Sequence, residues 1–183
     1  MDWRNTTDRY GSLSISMHWL MVLLIVAVYM AINLHELAPK GSDLRAELKV
    51  WHFILGFGVF ALVFARLVTR LFSGSAPRIS PPIPRWQKRS GEIMHGLLYV
   101  FMIGMPVLGW FAVSAKGTPV LFFGLQLPAL IGQNKELYDL LKETHETTGT
   151  IGYYLIGLHA AAALIHHYVL RDNTLLRILP ARR

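Results

Sequence analysis

The stretch THETTGTIGYYLIGLHAAAALIHHYV, residues 144–169, decides the architecture of the chain. Its apolar run is long enough to cross a bilayer as a helix, for which about 20 residues suffice. Yet it carries four of the chain's eight histidines, His145, His159, His166 and His167. Ionisable side chains inside a membrane segment are costly and mark binding or transfer sites. At about 100° and 1.5 Å per residue, His145 and His159 project within roughly 40° of one another and lie about 21 Å apart along the axis. One helix face therefore presents an imidazole near each side of the bilayer.

The remainder of the chain agrees with a membrane protein. Of 183 residues, 53% are hydrophobic and the mean hydropathy is +0.39, too apolar for a soluble domain of this size. The pattern predicts an all-α fold, an integral membrane four-helix bundle in which residues 1–183 form a single domain. Spans are expected at about 16–34, 50–72, 92–113 and 146–170, each helical because lipid offers backbone groups no partners. Pro106 predicts a kink in the third span. SGSAPRISPPIPRWQKRS, residues 73–90, reads as an extended connector. NKELYDLLKETHE, residues 134–146, has helical leucine spacing and reads as a short helix lying on the membrane or leading into the fourth span.

Lysine and arginine orient the spans. Twelve fall on the side that holds both termini and the 66–90 region, against six in the two opposite loops. The positive-inside rule then makes both termini cytoplasmic. The N-terminus lacks the basic region and small-residue cleavage site of a signal peptide. The net charge of +7 comes from residues flanking apolar spans, which fits anionic lipid headgroups and excludes a nucleic-acid-binding face. The absence of cysteine excludes disulfides, zinc–thiolate sites, iron–sulfur clusters and a thioether-linked haem.

Depth then pairs the histidines. With cytoplasmic termini, His18 lies near the inner end of the first span and His52 near the outer end of the second. His145 and His159 take the outer and inner levels of the fourth. The expected pairs are His52 with His145 and His18 with His159, each from two different helices. Two imidazoles facing across a gap are what a b-type haem iron needs for its axial positions, whereas zinc would want three or four ligands together. Gly56, one turn from His52, and Gly149 and Gly152, after His145, leave room for a porphyrin face; glycine also serves plain helix packing. Two haem b groups are the cofactors this predicts.

The chain resembles the bacterial cytochrome b561 family. The resemblance is carried by SISMHWL at 14–20, ARLVTRL at 65–71, FGLQLP at 123–128, the stretch at 144–169 and the tail RDNTLLRILP at 171–180. It extends over almost the whole chain. It implies that His18, His52, His145 and His159 hold the haem irons, and that electrons pass from periplasmic superoxide through both haems to ubiquinone. It implies a quinone site at the cytoplasmic end, with His166 as a contact; His95 reaches a similar depth, and His167 is a third candidate. Arg66 and Arg70 are candidates to neutralise haem propionates, or serve as positive-inside anchors. The resemblance also implies the bacterial inner membrane, with lipid and quinone as partners and superoxide as a small substrate.

Steering of superoxide needs positive charge near the outer haem, for which Lys49, Lys116, Lys135 and Lys142 are candidates. The outer loops oppose this on a simple count, since their six basic residues meet seven acids. Two other readings remain open. A cytochrome b subunit serving a separate periplasmic redox enzyme would use the same haem framework. A proton-coupled transporter with histidine relays would be colourless.

Overall fold

A computed structural model describes residues 3–122 and 125–180. It contains four long helices, α1 (Ser12–Leu37), α2 (Asp43–Phe72), α3 (Arg85–Lys116) and α4 (Lys135–Tyr168), each apolar and long enough to cross a membrane. Between α3 and α4 a short antiparallel hairpin pairs β1 (Val120–Phe122) with β2 (Leu125–Leu127), Val120 opposite Leu127. The protein is thus an all-α, four-helix membrane protein with a small β decoration.

Local chemistry sets the helix ends. Ser42 caps α2, its hydroxyl accepting the Arg45 N–H at 3.2 Å, and Asp43 adds an acid to the first turn. Asn134 caps α4 in the same way, accepting the Leu137 N–H at 2.9 Å. Pro39 follows the end of α1, and the chain then reverses through Gly41 at φ 83°. Gly74, at φ 82°, closes the C-terminus of α2.

The helices differ from the expected spans in two places. The segment before the fourth span is no separate surface helix; it joins that span in one helix of 34 residues. Helix α3 starts at Arg85, so the extended connector ends at Pro84, whose carbonyl accepts the Lys88 N–H. Beyond the prolines, WQKRS has nothing to stop a helix. Pro106 lies inside an unbroken α3, where its missing N–H leaves the Met102 carbonyl without the usual donor.

Contacts divide the chain into two compact units, and each helix contributes one stretch to each. The first comprises residues 3–21, 62–100 and 152–180, and holds the chain ends and the proline-rich connector. Its apolar core includes Ile15, Met21 and the fully buried Val63. Beneath them, backbone bonds stitch arm, connector and tail together: Asn5 to Ser73, Arg78 to Thr7, Asn173 to Ser80 and Tyr10 to Arg177. The Trp19 indole adds a bond to the Ile178 carbonyl at 3.0 Å. The second unit comprises residues 22–61 and 101–151 and includes the hairpin. Its core holds Ala31, Val59, Met102 and Ala112. Large apolar side chains such as Leu23, Val100 and Leu158 stay exposed on the helices, which suits lipid and would be a liability in water.

Candidate haem and electron-transfer site

In the second unit, α2 and α4 bring His52 and His145 to a ring-centroid separation of 6.1 Å, at 79° between planes. A ring nitrogen lies about 1.1 Å from its centroid, so the closest nitrogens can approach to about 3.9 Å. That is too far for a hydrogen bond and close to the roughly 4.0–4.2 Å spanned by two metal–imidazole bonds. His52 Nδ1 donates to the Val28 carbonyl at 3.2 Å, which leaves Nε2 with its lone pair free. This is the usual arrangement for a metal-binding histidine. His145 Nδ1 is buried and unpartnered: the Met105 carbonyl polarises the ring without meeting hydrogen-bond geometry.

Two glycines shape this level. A β-carbon on Gly109 of α3 would lie 3.2 Å from His145 Cε1 and 3.5 Å from Nδ1, so any larger residue there would press the ring by a few tenths of an ångström. Beside Gly56 a β-carbon would meet nothing within 4 Å, leaving open space one turn from His52.

Cations gather in the same unit. Lys49 faces Lys116, Lys142 and Arg45, and its charge reaches the His52 ring. Glu146 pairs with Lys142 at 3.0 Å and Glu36 with Arg45 at 3.2 Å. Lys49 and Lys116 have no carboxylate partner among the described residues; they lie 6.0 Å from the Phe53 ring and 5.6 Å from the Tyr138 ring. The near-neutral loop count therefore hides a local excess of positive charge.

In the first unit, α1 and α4 place His18 and His159 with centroids 6.5 Å apart, at 68°. Ring nitrogens aimed at one another would approach to about 4.3 Å here, near the span of two metal–imidazole bonds. His95 of α3 is 5.3 Å from His159 between ring centroids, closer than His18. Among the described residues no group of three or more histidine, aspartate or glutamate side chains could hold a metal ion.

Arginines surround this level. Arg66 acts electrostatically on His18, His95 and His159, and Arg70 and Arg177 act on His95. Arg177 is buried, gives one guanidinium N–H to the Pro77 carbonyl, and leaves its Nε without a partner. Such a group has unused capacity for an anion, as haem propionates would supply. Arg177 was not singled out by spacing, because it lies beyond the spans in a tail that shows no periodicity.

His166 lies in the last turn of α4, seven residues beyond His159 and nearly on the same face. Its Nδ1 meets Asp172 Oδ2 at 2.5 Å. Asp172 returns to it because Arg171 turns left-handed at φ 54°, a conformation that costs a residue with a β-carbon about 1 kcal/mol. The Asp172 N–H also bonds the His166 carbonyl at 3.0 Å, and Oδ1 accepts the Thr174 N–H at 2.8 Å. Burial pushes the Asp172 carboxyl up, but hydrogen bonds from His166 and Thr174 and the charge of His166 outweigh it and hold the group below the usual carboxylate range. His167 points elsewhere and packs edge-on against Tyr168, centroids 4.7 Å apart. Of the basic tail, Arg182 and Arg183 lie outside the described residues, as do residues 123 and 124 of FGLQLP.

Comparison with known proteins agrees with this framework. Residues 9–181 match the family described as prokaryotic cytochrome b561. The chain is 37% identical over 176 residues to cytochrome b561 homolog 1 of Escherichia coli (strain K12), covering 96% of this chain and 99% of that protein. It is 34% identical over 175 residues to the probable superoxide oxidase CybB of Yersinia pestis, covering 96% and 98%. A second Escherichia coli protein, cytochrome b561 homolog 2, is 27% identical over 184 residues. With four membrane-crossing helices and paired imidazoles already in place, the chain belongs to the prokaryotic cytochrome b561 family of multi-pass membrane proteins that bind haem b and transfer electrons.

Proposed function

We propose that the protein holds two haem b groups, one between His52 and His145 and one between His18 and His159, and carries electrons from superoxide to ubiquinone. The observation that supports this most is the pair of close imidazole encounters, each between separate helices. A six-coordinate haem b supplies one-electron, outer-sphere transfer through the porphyrin edge and keeps no open iron position for oxygen.

The side chains divide the remaining work. The Val28 carbonyl fixes the His52 tautomer. Arg66, Arg70 and Arg177 are placed to balance propionate charge near His18, His95 and His159. Lys49 and Lys116 attract a small anion toward the His52 level, which favours superoxide as donor. The printed name of the Yersinia pestis relative points the same way. His166 contacts the quinone, with His95 as a second candidate. The bacterial inner membrane, with both termini cytoplasmic, is the setting this reading assigns.

The test is made on the purified protein. A pyridine-haemochrome assay should count two b-haems per chain. Superoxide added without oxygen should reduce them, and a ubiquinone analogue should reoxidise them with no second protein present. A protein that superoxide leaves oxidised, but that a partner dehydrogenase reduces, would be a cytochrome b subunit instead.

A further inference from the structure

We propose that backbone carbonyls tune the His52/His145 haem to the lower potential of the two; this rests on the two-haem reading above. The acceptors are Val28 of α1 and Met105 of α3, and Gly109 opens the second of them to His145. His52 Nδ1 gives its proton to the Val28 carbonyl at 3.2 Å. His145 Nδ1 is buried without a partner, a state that buried donors in folded proteins seldom keep. The acceptor beside it is the Met105 carbonyl.

Helix geometry makes that carbonyl reachable. In an α-helix the carbonyl of residue i points toward residue i+4, whose side chain flanks it. For Met105 that residue is Gly109, inside the unbroken α3. The His145 ring lies where a β-carbon would intrude, 3.2 Å from Cε1 and 3.5 Å from Nδ1. Met105 also reaches α4 one turn beyond His145, since a β-carbon on Gly149 would lie 3.6 Å from its Cε. A carbonyl oxygen has two lone pairs, so Met105 can accept from His145 while keeping its bond within α3.

The consequence is electronic. An imidazole whose Nδ1–H is held by a carbonyl becomes more basic at Nε2 and donates more strongly to iron, which favours the oxidised state. Both ligands at this level are placed for that. Neither the His18 nor the His159 ring makes a hydrogen bond among the described residues; their contacts are with other rings and with charges. Charge acts in the same sense. Arg66 acts on His18 and His159, and the buried Arg177 on His95, so an added electron meets positive charge there. Near His52 and His145, Glu146 reinforces the carbonyls and Lys49 opposes them. Lys49 is partly exposed, and solvent screens it. An electron taken up at the His52/His145 level therefore runs downhill to the His18/His159 level, and the ligand surroundings give the transfer its direction.

Gly109 and Met105 act through His145 and are positioning residues. Redox titration of the haem-loaded protein, followed optically, should resolve two components. At any one potential their reduced-to-oxidised ratios should differ by about tenfold or more, which is about 59 mV for a one-electron couple. The component missing from His145→Ala should be the one harder to reduce, and the component missing from His159→Ala the easier one. Gly109→Ala covers the Met105 carbonyl, so it should make the first component about threefold or more easier to reduce and leave the second unmoved. Solid-state NMR reads the contact itself. Reduced protein carrying carbon-13 in methionine carbonyls and nitrogen-15 in histidine rings should show a dipolar coupling that His145→Ala removes.

Components that coincide, or that fall in the opposite order, overturn the tuning. A first component that Gly109→Ala leaves in place, or the lack of a coupling lost with His145, overturns the role of Met105. Where Gly109→Ala does not retain that haem, the coupling in the unaltered protein decides. A protein that binds fewer than two haems instead sinks the two-haem reading, and this inference with it.

Discussion

Gly109→Ala offers a sharp test of the proposed His145 ligand. The added methyl would lie 3.2 Å from His145 Cε1 and 3.5 Å from Nδ1, tighter than ordinary contact by a few tenths of an ångström. The ring has little room to retreat, because its centroid already lies 6.1 Å from that of His52. Displacing the ring either strains it or lengthens a bond. Overpacking of this kind costs about 1–3 kcal/mol, which corresponds to roughly 5- to 150-fold in retention of that haem. The assay follows haem loss to apomyoglobin from the oxidised protein, resolved by reduced-minus-oxidised spectra. One spectral component should leave faster while the His18/His159 component keeps its wild-type rate. Equal acceleration of both would mean general loosening, and no acceleration would mean that His145 does not hold a haem in this geometry.

Three further outcomes follow from the same geometry. His145→Ala and His159→Ala should each remove one haem, and different spectral components, on pyridine-haemochrome and low-temperature spectra; loss of the same component in both would contradict the pairing. Lys49→Gln with Lys116→Gln should slow haem reduction by superoxide about three- to tenfold at low salt and flatten its dependence on ionic strength in stopped-flow measurements. The Asp172 carboxyl lies below its unfolded value of about 3.9, so its stabilising effect is complete above that pH and is lost as pH falls through the folded value. The difference in melting temperature between wild type and Asp172→Asn should shrink as pH falls below about 4.

Length, hydropathy and the requirement for internal hydrogen bonding were enough to read the four helices from the chain, since lipid leaves few alternatives. The encounters of His52 with His145 and of His18 with His159 were legible for a similar reason. A helix rises at a fixed rate, so sequence position converts to depth once orientation is assigned. What depth could not reveal was azimuth. His95 shares a level with His18 and His159, but its 5.3 Å approach to His159 depends on how α3 is turned. The Lys49–Lys116 cluster was invisible because charge counts along loops ignore which acids are already paired. The hairpin at 120–127 and the roles of Asp172 and Arg177 depend on irregular backbone, where no periodicity carries information. The RDNTLLRILP tail was conspicuous as a motif, yet its work lies in backbone bonds to Ser80 and Tyr10 and side-chain bonds to Pro77 and His166.

The two half-reactions of the proposed function would account for the different furnishing of the two units. Oxidising superoxide to oxygen releases one electron and consumes no proton, so the protein need only attract an anion and bring it near a porphyrin edge. Unpaired cations serve that purpose, and Lys49 and Lys116 stand without carboxylates beside the His52 level. A buried acid–base pair there would add nothing. Reducing a quinone is limited by protons as well as electrons, and a bare cation cannot deliver them repeatedly. In the unit containing His18 and His159, a buried Asp172 carboxylate instead meets the His166 imidazole. A chain that merely conducted electrons between two protein partners would need docking surface at each end and no such pair. The contrast between lysines without carboxylate partners among the described residues in one unit and a carboxylate–imidazole contact in the other fits the proposed small-anion donor and proton-requiring acceptor.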